Sequence, residues 1–262
     1  MAFRRFVAAA LMALSLASCG DDAFPDYHYK MTVHVGGQTF SSVRAVEQEE
    51  VSSVVDSSGR TVSRKLRGEA VIIDHPNGRT YYALLGKPND PDYATLIVGA
   101  ALRDHVQREP QSEVDKEIER REASEPQTSS KAWLDDMADR SRALTEVEGP
   151  RELPRRLPPR NGRPPYEAWP MFVTFADSAN PSTVREVTPE SLGVERITIE
   201  ITDEDVTEGI EERLIWLPDY YGRQLSGDRF QTLENSRKGI SAYITSGLFS
   251  SGNGLSRFEE GE

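Results

Sequence analysis

A chain of 262 residues has room for one large domain or two small ones and can bury a substantial core. Its 43 acidic side chains outnumber the 31 basic ones, a formal net charge of −12 that repels phosphate backbones and argues against nucleic-acid binding.

Arg4 and Arg5 precede an apolar run over residues 6–14, and Leu16-Ala17-Ser18-Cys19 follows. A charged start, a short apolar segment and small residues before a cleavage point are the parts of an export signal. The run is about half the roughly 20 residues needed to cross a bilayer, so it reads as a signal and not as an anchor. The tetrapeptide resembles the lipobox of bacterial lipoproteins. That resemblance implies a signal peptide over residues 1–18, a lipid on Cys19, and a protein of the cell envelope facing the periplasm or the outside. Acyl chains such as palmitate contribute about 0.8 kcal/mol per buried CH₂, so two or three would hold the chain on a membrane. Cys19 is the only cysteine, so no disulfide, thiol nucleophile or cysteine metal site is then expected.

Residues 19–26 read as a tether. Tyr27, Tyr29, Met31, Val33 and Val35 alternate with polar residues, the period of a strand with one buried face. Gly36-Gly37 predicts a hairpin turn into a return strand ending near Val46. Residues 47–50 and 57–59 read as loops, and residues 66–73 as one strand. Asp74-His75-Pro76-Asn77-Gly78 supplies the turn of a second hairpin into residues 81–85. Asp90 and Pro91 suit a helix start, and residues 93–106 are apolar nearly all round, which predicts a buried helix. These elements make residues 27–107 a β-rich half.

Composition changes at Arg108, and residues 108–168 read as a charged insertion and linker. Residues 109–130 give a helix little to bury. Residues 130–144 predict a helix with Trp133, Met137 and Leu144 on one side. The following prolines, interleaved with Arg151, Arg155, Arg156, Arg160 and Arg163, predict an extended, solvated strip. This local basic strip on an acidic protein offers contacts to anionic lipid or cell-wall polymer.

Residues 169–251 form a second α+β half. Met171, Phe172, Val173 and Phe175 are nearly continuous, as in a strand covered on both faces, whereas Ile197, Ile199 and Ile201 alternate with polar residues. Pro181, Pro189 and Gly193 between them leave room for at most one helical turn. Thr207 is placed to cap a helix with Ile210, Leu214 and Leu217 on one stripe, ended by Pro218. Ile240, Ala242 and Ile244 alternate as in a last strand, and residues 252–262 read as a disordered acidic tail.

Nucleophile and nucleotide motifs are absent from the sequence: it contains no G-x-S-x-G, no Ser-x-x-Lys and no Gly-x-x-x-x-Gly-Lys. His28 and His34 are six strand positions, about 20 Å, apart and cannot chelate one ion together. The densest candidate site is the acidic cluster Glu200, Asp203, Glu204, Asp205 and Glu208, with Glu211 and Glu212 following. It offers calcium ligands or a carboxylate pair for glycoside cleavage. The EF-hand pattern is not met, since Glu208 and Leu214 stand where glycine and glutamate would be needed. The favoured reading of the cluster is structural, helix-end charge on a solvated face.

Gly68-Glu69-Ala70-Val71, residues 78–85 and 170–177, and above all RITIEITDEDVTEGIEERL resemble a family of exported bacterial proteins, many with lipoboxes. The likeness covers both β-rich ends and skips the charged middle. The family's pattern has proline where this chain has Ile215, a difference that would let the helix run to Leu217. No activity comes with the resemblance.

The expected architecture is α+β: an antiparallel-rich sheet, a buried helix, a second amphipathic helix and a charged, partly helical insertion. The expected role is a membrane-anchored envelope lipoprotein that binds an envelope protein or cell-wall partner, or serves structurally, without catalysis, metal or cofactor. The alternative is a carboxylate-based hydrolase acting on cell-wall sugars.

Overall fold

Alternation governs the first strand, β1 (Tyr27–Val35): its five odd-numbered side chains are buried and the even-numbered ones are partly exposed. A computed structural model describes residues 23–52, 60–90, 92–106, 128–159, 164–229 and 235–251 of the chain. The signal, Cys19, residues 107–127 and the tail lie outside the described residues. Gly36 and Gly37, at φ +55° and +76°, turn β1 into β2 (Gln38–Ser52), which runs well past Val46. Residues 47–50 are therefore strand and not loop. The Glu47 charge is balanced across the ladder with β3 (Arg60–Glu69), where Lys65 and Arg67 each lie 3.7 Å from it.

The single strand expected over residues 66–73 is two strands. Gly68 adopts φ +137°, and after Ala70 the chain leaves the first sheet to begin β4 (Val71–Asp74) in another. The predicted hairpin connects β4 to β5 (Thr80–Ala83). Helix α1 spans Tyr93–Val106 as expected, with Tyr93, Ile97, Val98 and Leu102 buried.

Helix α2 (Thr128–Thr145) buries Leu134 and Ala138 against Phe24, so the expected tether is docked at its described end. The side chain of Trp133 lies outside the described residues. The proline- and arginine-rich strip is not a solvated linker. Its short strands β6 (Arg151–Glu152), β7 (Arg156–Leu157) and β8 (Tyr166–Glu167) pair with neighbours, and Leu153 and Leu157 are buried in the main core. The leucines between the prolines carry it inward.

Strand β9 (Phe172–Phe175) has both faces covered, as its continuous apolar run requires. Next come β10 (Val184–Val187), where a loop was expected, and the one-turn helix α3 (Pro189–Leu192), capped by the Thr188 hydroxyl and closed by Gly193. Strand β11 (Val194–Thr202) buries Ile197 and Ile199.

The helix expected over residues 207–217 is only α4 (Ile210–Arg213), followed by a 3-10 turn, Leu217–Tyr220. Ile210, Leu214 and Leu217 are all buried as the stripe implied, while Ile215 is 76% exposed. Isoleucine at that position thus does not carry the helix on to Leu217. The last expected strand is also absent: Asn235–Ala242 forms 3-10 turns kinked at Gly239, and the alternation there buries Ala242 and Ile244 without a strand. A two-residue strand, β12 (Ser250–Ser251), closes the described chain.

The fold is α+β and antiparallel throughout its paired strands. A six-stranded sheet runs β12-β3-β2-β1-β11-β6, a four-stranded sheet runs β10-β9-β5-β4, and β7 pairs with β8. The two β-rich ends of the chain interleave, since β1 pairs with β11 and β5 with β9. One core lies between the sheets and α1; the second fills the far face of the four-stranded sheet with Tyr82, Leu84, Val173, Trp216, Ile244 and Phe249. No helix among the described residues is long and apolar enough to cross a membrane.

Candidate functional site

The acidic residues singled out in the sequence are spread along the end of β11 and the loop beyond it. Glu200 lies half-buried on the outer side of β11 directly opposite Lys30, and Asp203, Glu204, Asp205 and Glu208 are exposed along the loop beyond. The Glu204 carboxylate is held by the Lys30 ammonium, and its backbone carbonyl meets His28 Nδ1 at 2.8 Å. Among the described residues, no group of three or more His, Cys, Asp or Glu side chains is placed to hold a metal ion.

A carboxylate outside that cluster is better placed. Glu69, almost fully buried at the end of β3, accepts the amide hydrogens of Gly209 at 3.1 Å and Ile210 at 2.8 Å. Burial pushes its carboxyl above the usual range, and the two amide bonds oppose that shift. Both oxygens are engaged in capping α4, so Glu69 acts as a structural cap.

Lys87 also lies in a perturbed setting. Its ammonium donates to the Glu167 carbonyl and sits 4.8 Å from the Tyr166 ring centre and 5.4 Å from that of Tyr93. Tyr166 donates to Asp90, and Tyr93 donates to the Ala168 carbonyl at 3.0 Å. Burial lowers the Lys87 pKa and raises those of Tyr93 and Tyr166. With the cation already enclosed by the chain's own rings, this cluster ties the loop before α1 to β8.

An open site lies instead at one end of the four-stranded sheet. A groove of about 390 Å³ is lined by the turn residues Gly78 and Arg79, by Thr80 and Tyr82 of β5, by Thr174 and Phe175 of β9, by Ala176 and Ser178, and by Arg185 of β10. Register accounts for the grouping: Thr174 stands between Tyr81 and Arg185 across three adjacent strands, and its hydroxyl donates to the Thr80 carbonyl at 2.8 Å. The aromatic wall is fixed from behind. Phe175 makes edge contacts with Tyr82 at 5.8 Å and Trp216 at 5.6 Å between ring centres, and the Trp216 indole donates to the Ser178 carbonyl at 2.8 Å. Burial pushes the Tyr82 hydroxyl up to about 12, against the nearby Arg213 charge.

Among the described residues, the lining carries no acidic side chain. Arg79 and Arg185 are exposed, and neither forms an ion pair with a described residue. Two guanidiniums and a ring edge suit an anionic ligand, because each guanidinium offers a planar fork to a carboxylate or phosphate; the Thr80 hydroxyl donates to Asp74 at 2.8 Å and keeps only its lone pairs for a ligand. Neither arginine was legible as a site residue. Arg79 belongs to a hairpin turn and Arg185 to a strand read as loop, and no spacing links them.

Comparison of the chain with protein-family models, with curated proteins and with solved structures found no match.

Proposed function

We propose that the chain is an envelope lipoprotein, held on a membrane by lipid on Cys19, that binds an anionic envelope glycan without cleaving it. The observation that carries the reading is the groove charge: among the described residues its charged side chains are Arg79 and Arg185, on a chain whose net charge is −12. An acidic saccharide presents carboxylates or phosphates to the guanidiniums, hydroxyls to Thr80 and Ser178, and a ring face to Phe175. Glycoside cleavage instead needs two carboxyl groups roughly 5 to 9.5 Å apart around the bond. Among the described residues, the groove lining supplies none.

Calorimetric titration of the mature chain with an oligomer of glucuronic acid, beside a neutral glucose oligomer of equal length, tests the proposal. The acidic oligomer is expected to bind with an affinity that falls with salt and drops about tenfold or more in Arg79→Ala/Arg185→Ala. Equal binding of both oligomers, or no binding of either, overturns it. Shortening of the acidic oligomer during the titration would favour the hydrolase.

A further inference from the structure

Arg44 is fully buried in the core, and its Nη1 and Nη2 atoms have no hydrogen-bond partner. Its Nε donates to the Ser42 hydroxyl at 3.3 Å, and its guanidinium carbon lies 5.9 Å from the centre of the Tyr29 ring. Tyr29 stands directly opposite Arg44 in the β1–β2 ladder, is fully buried too, and has an unpartnered hydroxyl. On the other side of β2, a Cβ at Gly68 would come within 3.1 Å of both the Arg44 Cα and Cγ, so β3 uses glycine where the arginine stem passes. Three adjacent strands are thus shaped around one buried cation.

An unpaired buried charge costs several kcal/mol, and a guanidinium cannot escape by losing its proton as a lysine can. Glu69 is the other almost fully buried charged side chain among the described residues, and it spends its oxygens on Gly209 and Ile210. Beside Arg44 lie the Tyr29 hydroxyl and the Ser42 hydroxyl, which accepts from Nε; each can turn its proton toward an anion, and neither carries a charge to offset the guanidinium. A water molecule in that place would leave the guanidinium charge uncompensated, whereas an anion accepts from the guanidinium and hydroxyl donors and neutralises the charge.

We propose that Arg44, with the hydroxyls of Tyr29 and Ser42, forms a buried binding site for a small monovalent anion of the halide class. The site is shielded from solvent, because Arg44 and Tyr29 are both fully buried. The anion neutralises the guanidinium and becomes part of the core. Folding is therefore linked to halide concentration, independently of any ligand in the surface groove.

Urea unfolding of the mature chain in chloride, bromide or gluconate at one ionic strength tests this. Above half-saturation, each tenfold rise in chloride or bromide should lower the unfolding constant about tenfold, while gluconate, too large to enter, should not. Tyr29→Phe should move the half-saturating concentration upward, and Arg44→Met should abolish the halide response. Should Arg44→Met fail to fold, crystals of the wild type grown in bromide decide: an anomalous peak beside the guanidinium supports the site. Equal responses to chloride and gluconate, an undiminished response in folded Arg44→Met, or absence of that peak overturns it.

Discussion

The Glu69 carboxylate caps Ile210 from a strand 141 positions away, accepting its amide hydrogen at 2.8 Å. This contact joins the two places where the chain changes direction. Where β3 turns out of the six-stranded sheet at Gly68, Thr207 fills the exposed ladder, donating its amide to the Val43 carbonyl at 3.0 Å and accepting the Val43 amide on its hydroxyl at 2.8 Å. Thr207 is consequently committed to the sheet, and Glu69 takes over the capping role that local sequence assigns to the threonine. Glu69→Ala leaves two amides without their acceptor and should destabilise by about 2 to 5 kcal/mol in a urea melt. A loss below about 0.5 kcal/mol would mean that water replaces the carboxylate.

The same group predicts a pH dependence. Because burial raises the folded carboxyl pKa above its unfolded value, the folded state binds more protons between the two, and stability falls as pH rises through that window. Glu69→Gln should remove that component of the slope. Identical slopes for wild type and variant would show that Glu69 titrates alike in both states.

Strand and helix positions were legible wherever one local rule sufficed. Period two located β1 and β11, paired glycines the first hairpin, a continuous apolar run β9, and a cap followed by apolar residues α1. Legibility failed where distant partners decide. Residues 47–50 look like a loop until Lys65 is placed opposite Glu47 and Arg67 diagonally within reach of it. Ile240, Ala242 and Ile244 alternate like a strand, yet Gly239 at φ +75° and the 3-10 turns bury Ala242 and Ile244 another way. The groove arginines come from a turn and a strand brought together only by sheet register, a relation that no local spacing records.

Gly68 should be intolerant of substitution for two additive reasons. Its φ of +137° is unfavourable for any L side chain, and its Cβ would press on the Arg44 backbone and stem at 3.1 Å. Gly68→Ala should cost about 1 to 3 kcal/mol or more by denaturant melt, whereas Gly78→Ala, where a Cβ meets nothing within 4 Å, should carry only the backbone term. Equal losses at both positions would remove the packing argument.

Ile199 and Glu200 test the two faces of β11. Ile199 is fully buried, so Ile199→Ala should destabilise by about 2 to 5 kcal/mol. Glu200 is half-buried on the outer face, and Glu200→Ala should stay within about 0.5 kcal/mol. The dispersal of the acidic residues further predicts that millimolar calcium leaves the melting temperature unchanged. A calcium-dependent rise that a chelator reverses would restore the cluster as an ion site.

Membrane attachment is predicted to rest on one atom, the Cys19 sulfur. The chain has no second cysteine to take a lipid, and no described helix can cross a bilayer. Cys19→Ala should therefore move the protein from the membrane fraction to a soluble or uncleaved precursor form, while its urea midpoint, set by the core formed from Phe24 onward, should not change. Fractionation and mass measurement of wild type and variant side by side provide the readout. A correctly processed Cys19→Ala protein that stays on the membrane would sink the lipid anchor and direct attention to basic surfaces such as the Arg155–Arg156 strip, whose binding to anionic vesicles would be released by salt.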